Sequence, residues 1–150
     1  MNESKPPYEL HTNRELEFML SRGKPFAHFS DAYPAEPCED IIPEEAFAAY
    51  VASGLIEKRE FVVPCAAPPG HPQVRGVRHV LYARAPEAWR IDAWILIVFA
   101  AEKTGWNEGF ERLEGALLGY EEWQTDIHIE RLRQDPKIRK MWRWVGAPAK

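Results

Sequence analysis

The chain has 150 residues, 45% of them apolar and 28% charged, with a formal net charge of −4. That balance belongs to a chain that folds around a core and excludes a disordered or low-complexity polymer. No apolar run approaches the roughly 18 residues of a membrane span, the most apolar stretch being AWILIVFAA, nine residues at 93 to 101.

A length of 150 residues predicts one globular domain over 1–150, and six tryptophans supply large surfaces for its interior. The first ten residues, MNESKPPYEL, read as an extended lead-in, and their lack of an apolar stretch argues against a secretory signal. Cys38 and Cys65 stand in proline-rich loops without C-x-x-C spacing, which fits two free thiols in a reducing compartment. Together these features predict a cytoplasmic protein with no membrane partner.

In chain order, a first helix is expected after Thr12 or Asn13 as cap, with Leu16, Met19 and Leu20 on its inner face and Gly23 at its end. Residues 25–31, PFAHFSD, alternate as a strand, with Phe26, His28 and Ser30 on one side and Ala27 and Phe29 on the other. A proline-rich loop follows. Pro43, with Glu44 and Glu45 beside it, suits the first turn of a second helix that runs through Phe47, Tyr50 and Val51 to Gly54. Residues 58–64 and 77–84 read as two more strands, joined as an antiparallel hairpin by the loop PCAAPPGHPQ.

From Pro86 onward the pattern is helical. Leu96, Ile97, Val98 and Phe99 leave the next helix little polar face, so it is expected to be enclosed on most sides. Gly105 ends it, and Asn107 caps another helix running toward Gly119. A further helix spans about 121 to 133 with Trp123, Ile127 and Leu132 inward, and Asp135-Pro136 opens a last one with apolar residues at 138, 141, 142 and 145. The fold class is α+β, a small antiparallel sheet of about three strands packed against a helical layer of four to six helices.

Most named chemical signatures are missing. There is no G-x-G-x-x-G, no G-x-x-x-x-G-K-[ST], no G-x-S-x-G and no H-E-x-x-H, and neither cysteine has a partner at zinc-finger spacing. No cofactor and no metal are therefore expected. His28 and His79 lie on strands that could be neighbours, and with Asp31 they are the one candidate for metal or acid–base chemistry among the histidines. Asp126 and His128, two apart on a helix, point about 200° apart and share no site. Glu122, Asp126 and Glu130 share a face that reads as solvated.

The stretch GWNEGFERLEGALLGYEEWQ, residues 105 to 124, carries the sharpest anomaly. At about 100° per residue with Phe110 at zero, Leu117 falls near 340°, Leu118 near 80° and Glu114 near 40°, inside the apolar arc. Glu111 falls near 100°, at its edge. Gly115 and Gly119 lie on another side and admit a close neighbouring backbone. A buried carboxylate must be paired, hydrogen-bonded or protonated. Arg90, sharing an arc with Trp94 and Ile97 on the preceding helix, is the expected partner. Read as structure, Arg90 and Glu114 form an internal ion pair. Read as function, they mark a ligand pocket walled by Trp89, Tyr120 or Trp123.

The C-terminal charge has two readings as well. From residue 130 seven bases face two acids, a net of +5 that leaves −9 on residues 1 to 129. Arg139, Lys140 and Arg143 with Trp142 and Trp144 combine charge and stacking surface as single-strand binders do, yet the same helix presents an ordinary apolar stripe. The remaining −9 repels phosphate, so nucleic acid is the least favoured partner. The expectation is a small cytoplasmic binding protein without catalysis, its partner a protein or a small molecule. The alternative is a metal-independent enzyme using Glu114, with Glu111 and Arg90, for acid–base chemistry.

Overall fold

A computed structural model of the chain describes residues 5 to 35 and 41 to 141, the last three as backbone alone. In chain order it forms α1 (Glu15–Ser21), β1 (Phe26–Tyr33), α2 (Glu44–Ala52), β2 (Ile56–Pro64), β3 (Gly76–Arg84), α3 (Trp89–Thr104), α4 (Glu108–Leu118), α5 (Glu122–Gln134) and α6 (Pro136–Met141). A 3-10 turn, Ala85–Glu87, holds Pro86 and leads into α3. No helix among the described residues is long and apolar enough to cross a membrane.

The fold is α+β. The sheet has the order β1-β3-β2 with both pairings antiparallel, so the hairpin partner β3 is also the central strand. Its run Val80, Leu81, Tyr82 and Ala83 is wholly buried because both faces of a central strand are covered. On one face Phe26, Leu81 and Ala83 pack with Ile91, Trp94 and Ile97 of α3 and Leu117 of α4. On the other, Ala27, Ile56, Val80 and Tyr82 pack with Met19 of α1 and Phe47 of α2. The helices thus form two layers with the sheet between them, where one layer was expected. The period-two alternation of β1 serves both at once. β2, at the edge, turns Glu57, Lys58, Arg59 and Glu60 to solvent, charges that discourage pairing with another chain.

Other local expectations need correction. Neither Thr12 nor Asn13 caps α1; the capping position is Arg14, without a side-chain cap, and Asn13 takes a positive φ of 65° instead. α3 is enclosed on one side only. Ile91, Trp94 and Ile97 meet the sheet layer, while Leu96 is 70% and Phe99 51% exposed, because the sheet and α4 reach only one side of the helix. On α5 the inward positions are Thr125 and Ile129, and Trp123 is exposed.

The start of α4 is as expected. Asn107 Oδ1 accepts a hydrogen bond from the Phe110 amide at 3.1 Å. Its end is fixed by Gly119, in the left-handed region at φ 93°, where a Cβ would stand 2.7 Å from Pro25 Cδ. Gly115 gives α5 its close approach, but to a side chain rather than a backbone, with Thr125 Oγ1 2.7 Å from where a Cβ would be. α5 is tied to α4 by buried Glu108, whose carboxylate receives Arg133 at 2.9 Å and Arg112 at 3.2 Å. Asp126 receives Arg112 at 2.5 Å from the exposed acidic face. α6 opens at Pro136, with Asp135 Oδ1 accepting from the Lys137 amide at 2.9 Å.

Candidate functional site

The packing of α5 on α4 leaves a cleft of about 260 Å³. Glu111, Glu114 and Gly115 line it from α4, Thr125 and His128 from α5, Tyr120 from the turn between them. Tyr8 and Leu10 close it from the N-terminal segment, which is therefore part of a site wall rather than only a lead-in. Gly115 lets Thr125 of α5 pack directly on α4 beside the cleft, since any side chain there would enter the space of Thr125.

Glu114 is withdrawn from solvent, as its place in the apolar arc requires, but Arg90 is not its partner. Arg90 donates through Nε to Glu87 at 2.9 Å and through Nη1 to the carbonyls of Ala116 at 3.0 Å and Leu117 at 3.1 Å. These carbonyls lie at the negative end of α4, that of Ala116 also accepting the Gly119 amide at 3.2 Å, so the guanidinium joins in closing that helix. The reason is a matter of level. Arg90 starts α3 opposite the end of α4, and Glu114 meets α3 one turn further on, at Trp94. Trp94 Nε1 donates to Glu114 Oε2 at 3.0 Å, and Trp94 is Glu114's hydrogen-bond partner among the described residues.

A neutral indole N–H does not neutralise a carboxylate. Burial, and after it the charge of Glu111, push the Glu114 carboxyl up to about 7, against the smaller pull of Trp94 and His128. Glu111, one turn away, is better provided: Trp106 Nε1 donates to it at 2.6 Å and His128 Nε2 lies 2.7 Å from its other oxygen. The cleft therefore holds one carboxylate satisfied on both oxygens and one poised between charged and neutral near neutral pH.

The remaining candidates separate. Tyr120 lines the cleft. Trp89 is exposed, carries Arg90 on its ring at 4.7 Å, and stands outside it. Trp123 lines a neighbouring cavity of about 410 Å³ that shares Tyr8 and Gln124 with the first. The side chains of Arg139 and Lys140 and the whole of Arg143 lie outside the described residues. Cys65 is a free, exposed thiol, and Cys38 lies outside the described residues.

His28 and His79 do meet, Nε2 to Nδ1 at 2.9 Å, with the His28 ring against Trp94 at 4.1 Å. Burial, then His79, holds His28 down to about 3, and burial lowers His79 too, so the pair is a neutral donor–acceptor couple, half-buried beside Trp94. Asp31 projects from the opposite face of β1, and no three metal-ligating side chains cluster among the described residues.

Trp106 was absent from the sequence reading, and His128 was named there without a role in this site, since their contacts to Glu111 depend on how α5 and the α3–α4 loop dock. Trp94 was within reach of it, standing one turn from Arg90 on the same arc. Comparison with known proteins gives no matching family model, no matching curated protein and no matching solved structure.

Proposed function

We propose that the chain is a small cytoplasmic binding protein whose cleft receives a small ligand with a cationic head, an amine or guanidinium on an apolar body. One observation carries this reading: Glu114 lines a cleft with its carboxyl pushed up to about 7 and has no ion-pair partner among the described residues, His128 being engaged by Glu111. A bound cation would favour the charged carboxylate and draw its pKa down. Leu10, Leu118 and the rings of Tyr8 and Tyr120 supply apolar wall for the ligand's body.

The test is a thermal-shift titration with phenethylamine, a probe with one ammonium and one ring. At about pH 8 it should raise Tm, because a ligand that binds only the folded chain stabilises by mass action. At about pH 5.5, where Glu114 is protonated, the shift should shrink by several-fold. Glu114→Gln should abolish it at both. A probe-induced shift that is the same in wild type and variant would overturn the assignment, as would no shift at all.

The runner-up is acid–base catalysis by Glu114, favoured by the same raised pKa, which sits where a general acid or base is effective near neutrality. Its partner there is Glu111 or His128 rather than Arg90, which is committed to the end of α4. Turnover whose rate titrates near pH 7 and vanishes in Glu114→Gln would favour this reading over binding.

A further inference from the structure

The second cavity, of about 410 Å³, contains a group that the cleft does not use. Lys24 stands between Gly23, which ends the α1 turn, and Pro25, which leads into β1, and its side chain is buried, with the residue 5% exposed. The amine donates to the Leu118 carbonyl and lies 2.7 Å from His11 Nδ1. His11 is fixed in turn. Its ring stacks on Tyr120 at 3.9 Å and meets Phe18 edge-on at 5.4 Å, and its amide donates to the Tyr120 hydroxyl at 2.9 Å. Lys24 and His11 both line the cavity, whose wall also holds Tyr8 and Trp123, in edge-to-face contact at 5.8 Å.

We propose that Lys24 is a reactive amine that condenses with a small aldehyde, preferentially an aromatic one, entering this cavity, to form a Schiff base. Lys24 takes the Leu118 carbonyl as the Arg90 guanidinium takes those of Ala116 and Leu117, so two basic groups meet at one helix end, and Lys24 is the one of them that lines the cavity. Burial lowers the Lys24 amine to about 7, opposed by the pull of Glu15 on α1 and helped, to a smaller extent, by Arg90. Burial and Lys24 likewise hold His11 down to about 4, leaving a neutral imidazole whose Nδ1 can accept a proton. A desolvated amine beside another cationic group is the arrangement that makes lysine nucleophilic near neutrality.

The chemistry balances without a further reactant. The neutral amine attacks the carbonyl carbon and forms the C–N bond. His11 Nδ1 takes the proton that the nitrogen sheds, and the former carbonyl oxygen is protonated to give the carbinolamine. Loss of water then leaves the imine. The ring of an aromatic aldehyde would have Tyr8 and Trp123 as its wall.

The experiment is competitive labelling of the wild-type chain by benzaldehyde with sodium cyanoborohydride, which supplies the hydride that traps the imine as a secondary amine. Peptide mapping then reads each of the seven lysines. Exposed Lys5, Lys58, Lys103 and Lys137 are the internal standards. At about pH 7 Lys24 should be labelled at least about tenfold faster than these. The preference should disappear in concentrated urea, where all the amines become alike. Lys24 labelled no faster than the standards, or not at all, as burial without reactivity requires, would overturn the proposal.

Discussion

At Glu114 the local physics has a sign that can be worked through. Its carboxyl ionises near pH 4.5 in the unfolded chain and near 7 in the folded one, so folding takes up a proton between those values. Stability from this group therefore falls as pH rises from about 4.5 to about 7 and is flat beyond. Glu114→Gln keeps an acceptor for the Trp94 indole and removes the charge. The variant should be more stable than wild type by about 1 to 3 kcal/mol at pH 8, and equal to it near pH 4, in urea melts at each pH. A loss of stability at pH 8 would mean that the carboxylate has a buried cation to neutralise. The sequence placed Glu114 inside the apolar arc, at least partly buried, because helical phase is fixed by residue count. It misplaced the partner because Arg90 and Trp94 share one arc, and phase says nothing of how far α3 is displaced along α4. Trp94 occupies the level that Arg90 was expected to hold.

Between elements, the tightest constraint lies where α4 meets the start of β1. Gly119 takes a backbone conformation that a side chain strains, and its missing Cβ leaves room for the Pro25 ring. That ring has little freedom, because the Pro25 carbonyl accepts the Arg84 amide at 3.0 Å at the end of β3. Gly119→Ala should cost about 2 kcal/mol or more, combining the left-handed penalty with the clash. A change under about 0.5 kcal/mol in denaturant melts would show that the turn relaxes without loss. Such turns were legible in part: Gly105, Asn107 and Gly119 punctuate the sequence where α3 ends and α4 begins and ends. The strands were legible too, within a residue or two, from alternation and flanking prolines. The two-layer arrangement was not. Met19 and Phe47 carry no mark that sends α1 and α2 to the face of β3 opposite α3 and α4. The open side of α3 was unreadable for a related reason, since apolar residues around a whole helix say only that it could be buried, and the three-stranded sheet is too narrow to do so.

Across the whole molecule, the half-buried histidines set the response to acid. His28, His11 and His79 all have lowered pKa values, with His28 near 3 and His11 near 4, so the folded chain stays unprotonated where the unfolded one, near 6.5, takes up protons. Each loses its share of stability as pH falls from about 6.5 toward its folded value. Glu114 works the other way in the same window, gaining as pH falls from 7 to 4.5. One carboxyl against three imidazoles leaves a net loss, and below about 4.5 the lowered carboxyls of Glu44 and Glu108 add to it. Above neutrality Lys24 dominates: its amine, near 7 in the fold and near 10.5 in the unfolded chain, makes stability rise with pH across that interval. Calorimetry at fixed ionic strength should thus show Tm climbing from about pH 4 to 6.5 and again from about pH 7 to 9. His28→Gln isolates one contributor, because an amide can still bond His79 but does not titrate in this range. Its acid limb should be shallower than that of wild type by up to about 1.4 kcal/mol per pH unit, the slope due to one proton. Superimposable acid limbs would mean that His28 takes up its proton in the fold as it does in the unfolded chain, so that its burial beside Trp94 and its bond to His79 do not hold it neutral.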